Sequence, residues 1–164
     1  MHLELSEIPE QGLTIERTLD RLESGTDDGD EAGRELLARP ATLVAEARPG
    51  KRGVDLAGRI VAWVRLECSR CLEPYERRFE VDFSLVLAPR PARVSADEHR
   101  LDPAEAALFH TEEGRADLRA LVREQLHLGL PLKPICRPEC AGLCPTCGAN
   151  RNDLECRCHG ESQT

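Results

Sequence analysis

Aromatic residues are scarce in this chain: Trp63, Tyr75, Phe79, Phe83 and Phe109 make up 3% of its 164 residues. Its core must therefore rest on Leu, Val, Ile and Ala, and 40% apolar content is enough for one modest core. Lysine is nearly missing too. Only Lys51 and Lys133 among the 22 basic residues are not arginine, which reads as codon bias. Long apolar runs are absent. Nothing approaches the roughly 18 residues of a membrane span, and "MHLELSEIPE" has neither the basic nor the apolar region of a secretory signal. These absences point to a cytoplasmic protein whose thiols are kept reduced. Catalytic motifs are missing as well: there is no HExxH, Walker loop, dinucleotide glycine motif or Ser-His-Asp constellation. His2, His99, His110 and His127 lie outside any ligand spacing, and His159 reads as a solvated tail residue. No catalytic site is expected. A net charge of −8 makes the chain a poor non-specific binder of nucleic acid and favours a basic protein as partner.

What is present has a clear order. "HLEL" and "GLTIERTL" place Leu3 with Leu5, and Leu13 with Ile15 and Leu19, on single faces of short strands. Residues 23–33, acidic and Gly-rich, read as a mobile loop. "ATLVAEA" (41–47) is a strand, and "RPGKRG" (48–53) a turn. Ile60, Ala62, Val64 and Leu66 alternate with Val61, Trp63, Arg65 and Glu67. Phe79, Val81, Phe83, Leu85 and Leu87 alternate in the same way with Arg78, Glu80, Asp82 and Ser84. Residues 89–105 read as a linker. Within it Asp102, Pro103 and Glu105 signal the start of a short helix. The main helix falls near 117–129, with Asp117 as its cap, Leu118, Leu121, Val122, Gln125 and Leu126 at helical spacing, and Gly129 with Pro131 ending it. The expected fold is α+β: an antiparallel sheet, open or barrel-like, with one main helix and a cysteine-rich tail. Residues 1–134 form the β-rich core domain. Residues 135–164 form a zinc-binding tail docked on the CxxC knuckle at 68–71.

Eight cysteines stand against the absences: Cys68, Cys71, Cys136, Cys140, Cys144, Cys147, Cys156 and Cys158. Eight in 164 is below the roughly 8–10% of a disulfide scaffold, so metal is the better reading. Cys68-Ser-Arg-Cys71 joins two strong strands, where a CxxC tip supplies half of a tetrahedral Zn²⁺ site. Cys144-Pro-Thr-Cys147-Gly148 is a second knuckle, with Pro145 fixing φ and Gly148 free to take a positive one. Four pairs suffice for two closed Cys₄ sites, about two zinc ions per chain. Loop closure favours Cys144, Cys147, Cys156 and Cys158 as a local site, leaving Cys136 and Cys140 to join Cys68 and Cys71. The crossed partition, Cys136/140/144/147 with Cys68/71/156/158, remains open. A redox dithiol needs a CxxC that opens a helix, and none follows Cys68. A catalytic zinc needs an open position, which eight thiols in two closed sites do not leave.

"LECSRCLEPY", "DLRALVREQLHLGLPLKPIC" and "CAGLCPTCGANRN…CRC" occur here in that order. Together they resemble the YceD-like family, the large ribosomal RNA subunit accumulation proteins, over about residues 41–158. The resemblance implies a bacterial or organellar protein needed for normal levels of large-subunit rRNA, in a family with no established catalytic activity. All eight cysteines map to its metal-type positions, and Gly142, Leu143, Gly148, Asn150 and Asn152 match its GLCPxCGxNxN signature. Arg151 departs from it, standing where the family commonly has an apolar residue. Asn150 and Asn152 also read simply as turn-capping residues.

The expected function is therefore that of a non-catalytic, zinc-binding factor for large-subunit biogenesis, binding a large-subunit ribosomal protein or pre-ribosomal particle. Arg65, Arg70, Arg77 and Arg78 with Tyr75 offer a patch for rRNA, although Glu67, Glu73 and Glu76 can balance those arginines. The alternatives are a zinc-ribbon regulator binding nucleic acid or polymerase, and a zinc hydrolase. The first is disfavoured by the charge, the second by the closed thiol sets.

Overall fold

The computed structural model describes residues 1–22, 36–89 and 108–153, together with Cys158. The chain runs β1 (His2–Glu4), a 3-10 turn (Leu5–Glu7), β2 (Leu13–Leu19), β3 (Leu37–Gly50), β4 (Gly53–Glu67), β5 (Pro74–Pro89), β6 (Leu108–Thr111), β7 (Arg115–Asp117) and α1 (Leu118–Gly129). Five strands form one sheet in the order β2-β3-β4-β5-β6, and β1 pairs with β7 in a second, two-stranded sheet.

The large sheet is mixed, which corrects the antiparallel expectation. β2 to β5 are antiparallel neighbours, but β6 runs parallel to β5, pairing Val86 with Leu108 and Pro89 with Thr111. A parallel return needs a connection of a dozen or more residues, and residues 90–107 supply it. Leu108 and Phe109, the last residues of the "DPAEAALF" stretch that carries the helix start signals, lie in β6. The rest of that helix, the linker around Arg93 and the acidic loop at 23–33 lie outside the described residues.

The period-two reading of β4 and β5 carries over to the structure. Ile60, Ala62, Val64, Phe83, Leu85 and Leu87 are buried on one face. β3 and β4 extend beyond the expected strand, so the turn between them shrinks to Lys51-Arg52, with Gly50 opposite Gly53. Gly53 has φ +146, and a Cβ there would meet the Leu87 carbonyl oxygen at 2.1 Å. The register of β3 against β4 shifts on both sides of Arg39, next to Pro40. A proline without an N–H is accommodated in a sheet at such a bulge.

α1 closes the core from one side with Leu118, Leu121, Val122 and Leu126, all buried, as its spacing requires. Asp117 caps it, its carboxylate accepting from the Arg119 amide at 2.9 Å. Leu43, Leu56, Ile60, Val64 and Leu87 of the sheet belong to the same buried cluster. Among the described residues, no helix is long and apolar enough to cross a membrane.

Candidate metal centre

The β4–β5 hairpin carries its pairing out to Glu67 and Pro74. There Cys68 to Glu73 make a tight turn: Leu72 N–H donates to the Cys68 carbonyl at 2.9 Å and Cys68 N–H to the Glu73 carbonyl at 3.0 Å. Leu72 holds a left-handed φ of 61°, which costs a branched L-residue about 1–2 kcal/mol. The turn holds both cysteines of the CxxC in a small buried cluster separate from the main core.

The tail meets them there. Ser69 donates from its amide (2.8 Å) and its hydroxyl (2.9 Å) to the Pro134 carbonyl. Arg70 reaches the Pro138 and Cys140 carbonyls at 3.3 and 3.1 Å, and its own carbonyl accepts from the Leu143 amide at 3.0 Å. Gly142, with φ +71, lies where a Cβ would come within 3.0 Å of the Arg70 carbonyl oxygen. These contacts bring Cys136 and Cys140 to Cys68 and Cys71, all four sulfurs lying within 4.8 Å of one another. A Zn–S bond of about 2.3 Å places the sulfurs of a tetrahedral site about 3.8 Å apart. Cys68 and Cys140 are 3.8 Å apart, Cys71 and Cys136 3.9 Å. The donor set therefore fits a closed thiolate site.

The surroundings fit negative sulfur. The Cys136 amide donates to Cys68 Sγ, and the Asn152 carboxamide to Cys140 Sγ, each at 3.5 Å. Burial pushes the Cys68 thiol up, but the Cys136, Cys71 and Arg70 amides outweigh it and bring it down to about 6. Burial and the neighbouring sulfurs push Cys136 the other way, to about 12. Crowded thiolates resist joint ionisation until a cation joins them. Tyr75 packs against this cluster. Burial raises the pKa of its hydroxyl, and the neighbouring Arg77 guanidinium works against that rise.

The second knuckle repeats the first. Gly148 N–H donates to the Cys144 carbonyl at 2.9 Å, Cys144 N–H to the Ala149 carbonyl at 2.8 Å, and Gly148 takes φ +73. The sulfurs of Cys144, Cys147 and Cys158 lie within 4.8 Å of one another. Cys156 lies outside the described residues. The seven described thiols thus group as loop closure favours, not in the crossed partition, and these are residues that could hold metal.

Other site residues are placed differently from the sequence expectation. Pairing in β4–β5 puts Arg65 opposite Glu76 and Trp63 opposite Arg78 on one face, with Tyr75 opposite Leu66 and Arg77 opposite Val64 on the other. Arg70 is committed to tail carbonyls. The five residues of the expected RNA patch therefore do not share one surface. Arg78 pairs with Glu80, and Arg39 stacks over Trp63 at 4.4 Å. Tyr75 and Arg77 line a groove of about 420 Å³ with Glu76, Ile135, Cys136, Arg137 and Pro138. Sequence reasoning missed Arg137, whose neighbours in space are distant in the chain. Asn150 caps a turn, its Oδ1 accepting from the Asn152 amide at 3.1 Å, but Asn152 also reaches the first cluster.

Residues 56–164 match the family model for the large ribosomal RNA subunit accumulation protein YceD. A chloroplastic YCED homolog 1 of Zea mays is 29% identical over 147 residues, covering 74% of this chain and 50% of the maize protein. Its Arabidopsis thaliana counterpart is 25% identical over 145 residues, 76% of this chain and 45% of that one. An uncharacterized protein of Mycobacterium tuberculosis is 34% identical over 97 residues, 58% of this chain and 44% of its own length. The chain spans about half the length of these curated relatives. No solved structure matches. With two-thirds of its length matched by one family, including every cysteine at 68 and beyond, the chain belongs to the YceD family of large ribosomal RNA subunit accumulation proteins.

Proposed function

We propose that this chain is a non-catalytic factor in large ribosomal subunit biogenesis. It acts in the cytoplasm by binding a large-subunit ribosomal protein or a pre-ribosomal particle, and two zinc ions scaffold its tip. The observation that carries this reading is the first thiol cluster, whose sulfur separations match the edges of a tetrahedral thiolate site. Cys68, Cys71, Cys136 and Cys140 would hold one ion; Cys144, Cys147 and Cys158, with Cys156, the other. Four thiolates leave a zinc ion no open position for water, so its contribution is structural.

The groove beside the first cluster is the contact this reading favours. Tyr75, Arg77 and Arg137 line it, a combination suited to an unpaired RNA segment through stacking and charge. Arg65 and Arg78 belong to the opposite face of the sheet. Charge reversal at Arg77 should cut co-sedimentation with pre-ribosomal particles while zinc content stays normal. Reversal at Arg65 and Arg78 should leave it near wild type. Equal loss from Arg77 reversal and from the Arg65 and Arg78 pair would refute the groove, and unchanged association together with full rescue of a deletion strain would refute RNA contact by this tip.

A further inference from the structure

We infer that Asn152 couples the two thiol clusters, so that metal bound at Cys144, Cys147 and Cys158 raises the affinity of the Cys68, Cys71, Cys136 and Cys140 site, and the reverse. The inference rests on the metal reading proposed above.

A carboxamide has two donor hydrogens and an oxygen with two lone pairs. Asn152 uses all four. Its Nδ2 donates to Asn150 Oδ1 at 2.7 Å and to Cys140 Sγ at 3.5 Å. Its Oδ1 accepts from the Ala141 amide at 2.9 Å and from Arg137 Nη2 at 3.0 Å. Turning the amide over would set oxygen against a thiolate and a carbonyl oxygen, and nitrogen against two donors. Only one orientation satisfies the site.

The four partners divide in an informative way. Cys140, Ala141 and Arg137 belong to the stretch that completes the first cluster. Asn150, which also receives the Asn152 main-chain amide, belongs to the short hairpin around the second knuckle. That hairpin is closed by the Leu143–Asn150 bridge and by the Arg151 amide on the Gly142 carbonyl at 2.9 Å, and Cys144 and Cys147 sit inside it. Metal at the second cluster therefore fixes the loop that aims the Asn152 N–H at a first-cluster sulfur. Residues that hold a metal ligand in place are typically worth about 10–100-fold in affinity, and coupling between two binding events is reciprocal.

The test uses the full-length reduced chain and Co²⁺, whose thiolate absorption reports each site, in competition with a chelator. Cys147→Ser, which disables the second site, should weaken the first by about 10–100-fold. Asn152→Ala should weaken it by a similar factor, and Asn152→Asp by at least as much, because its carboxylate would face the Cys140 thiolate. In the Asn152→Ala background, Cys147→Ser should cost the first site little more, as a double-mutant cycle requires of a shared path. Unchanged first-site affinity in Cys147→Ser would overturn the inference. So would a full additional loss in the double variant, which would assign coupling to the Leu143–Arg70 backbone contact instead. A wild-type chain that binds no metal at either cluster would sink the metal reading itself, a result distinct from two filled but independent sites. Asn152→Asp, nearly isosteric, separates a lost contact from a misfolded loop.

Discussion

Between Cys68 and Glu73, and again between Cys144 and Ala149, the backbone makes the same pair of hydrogen bonds around one left-handed position. The residue differs. The second knuckle uses Gly148, for which φ +73 is free of steric cost; the first uses Leu72, for which it is not. What surrounds each turn accounts for the difference. The first knuckle continues a ladder paired from Val54 with Leu87 to Glu67 with Pro74, and Ser69 and Arg70 fasten it to the tail. Strain at one residue persists where its neighbours over-determine the backbone. The second knuckle has one isolated bridge, Leu143 with Asn150, so its turn must be favourable by itself. One is held by the fold, the other by its own sequence.

The largest expected contrast comes from breaking each knuckle. Cys68→Ser should lower zinc from about two ions per chain to about one and free the tail, exposing the segment near Lys133 to limited proteolysis. Structural zinc can contribute on the order of 10 kcal/mol of folding-coupled binding energy, so the change should be unmistakable. Cys144→Ser should instead leave the tail docked and the first site filled, with reduced affinity. A tail that stays protected in Cys68→Ser, by protease mapping, would mean that packing rather than metal holds it.

A smaller effect should separate the two turns themselves. Gly148→Leu places a side chain at a left-handed φ without a supporting ladder, and should weaken the second site by about 1–2 kcal/mol. Leu72→Gly should relieve that strain, less the roughly 0.5–1 kcal/mol that glycine loses in chain entropy. Chelator competition should therefore show a first site unchanged or slightly tighter. A clear loss there would show that the Leu72 side chain, 55% exposed, has a contact role the strain argument omits.

Much of this comparison was legible in the residues. The CxxC spacing, the period of two in β4 and β5 and the Asp117 cap each rest on short-range chemistry, and the structure follows them. The same period implied the split of Arg65 and Arg78 from Tyr75 and Arg77, because odd and even positions of a strand face opposite ways. The parallel strand β6 was not legible. Proline and acidic residues at 102–105 signal a helix start locally, whereas pairing with Val86 and Leu87 is decided by the whole sheet. Leu72 gave no warning of a left-handed turn, since leucine is not a turn residue. Asn152 read as a cap because its partners Ala141 and Arg137 lie 11 and 15 residues away.

The smallest effect belongs on the sheet, away from both knuckles, where it serves as a reference. Asp82 accepts from Arg59 Nε at 2.6 Å, and that bond holds its carboxyl below the ordinary carboxylate value. A lowered folded value means stability that is present above the unfolded pKa and lost as pH falls through the folded one. Wild type should therefore be slightly more stable than Asp82→Asn near neutral pH, with the gap closing in acid. Both groups are exposed, so the effect is small. A gap that persists unchanged under strong acid, in denaturant titrations, would assign it to something other than this charge.

The first cluster also imposes an order on the making of the protein. Cys71 and Cys136 are 65 residues apart, Cys68 and Cys140 are 72. At about 5–20 residues per second, a ribosome presents the first two thiols roughly 3–14 s before their partners exist. Within that interval the β4–β5 hairpin gains all the residues it needs to pair, while its tip has only two of its four clustered thiols. β1 waits longer than β2 for the same reason, since His2 pairs with Asp117. Completion of the tip is thus a signal of length: a chain that stops short of Cys140 keeps a sheet and lacks a finished end.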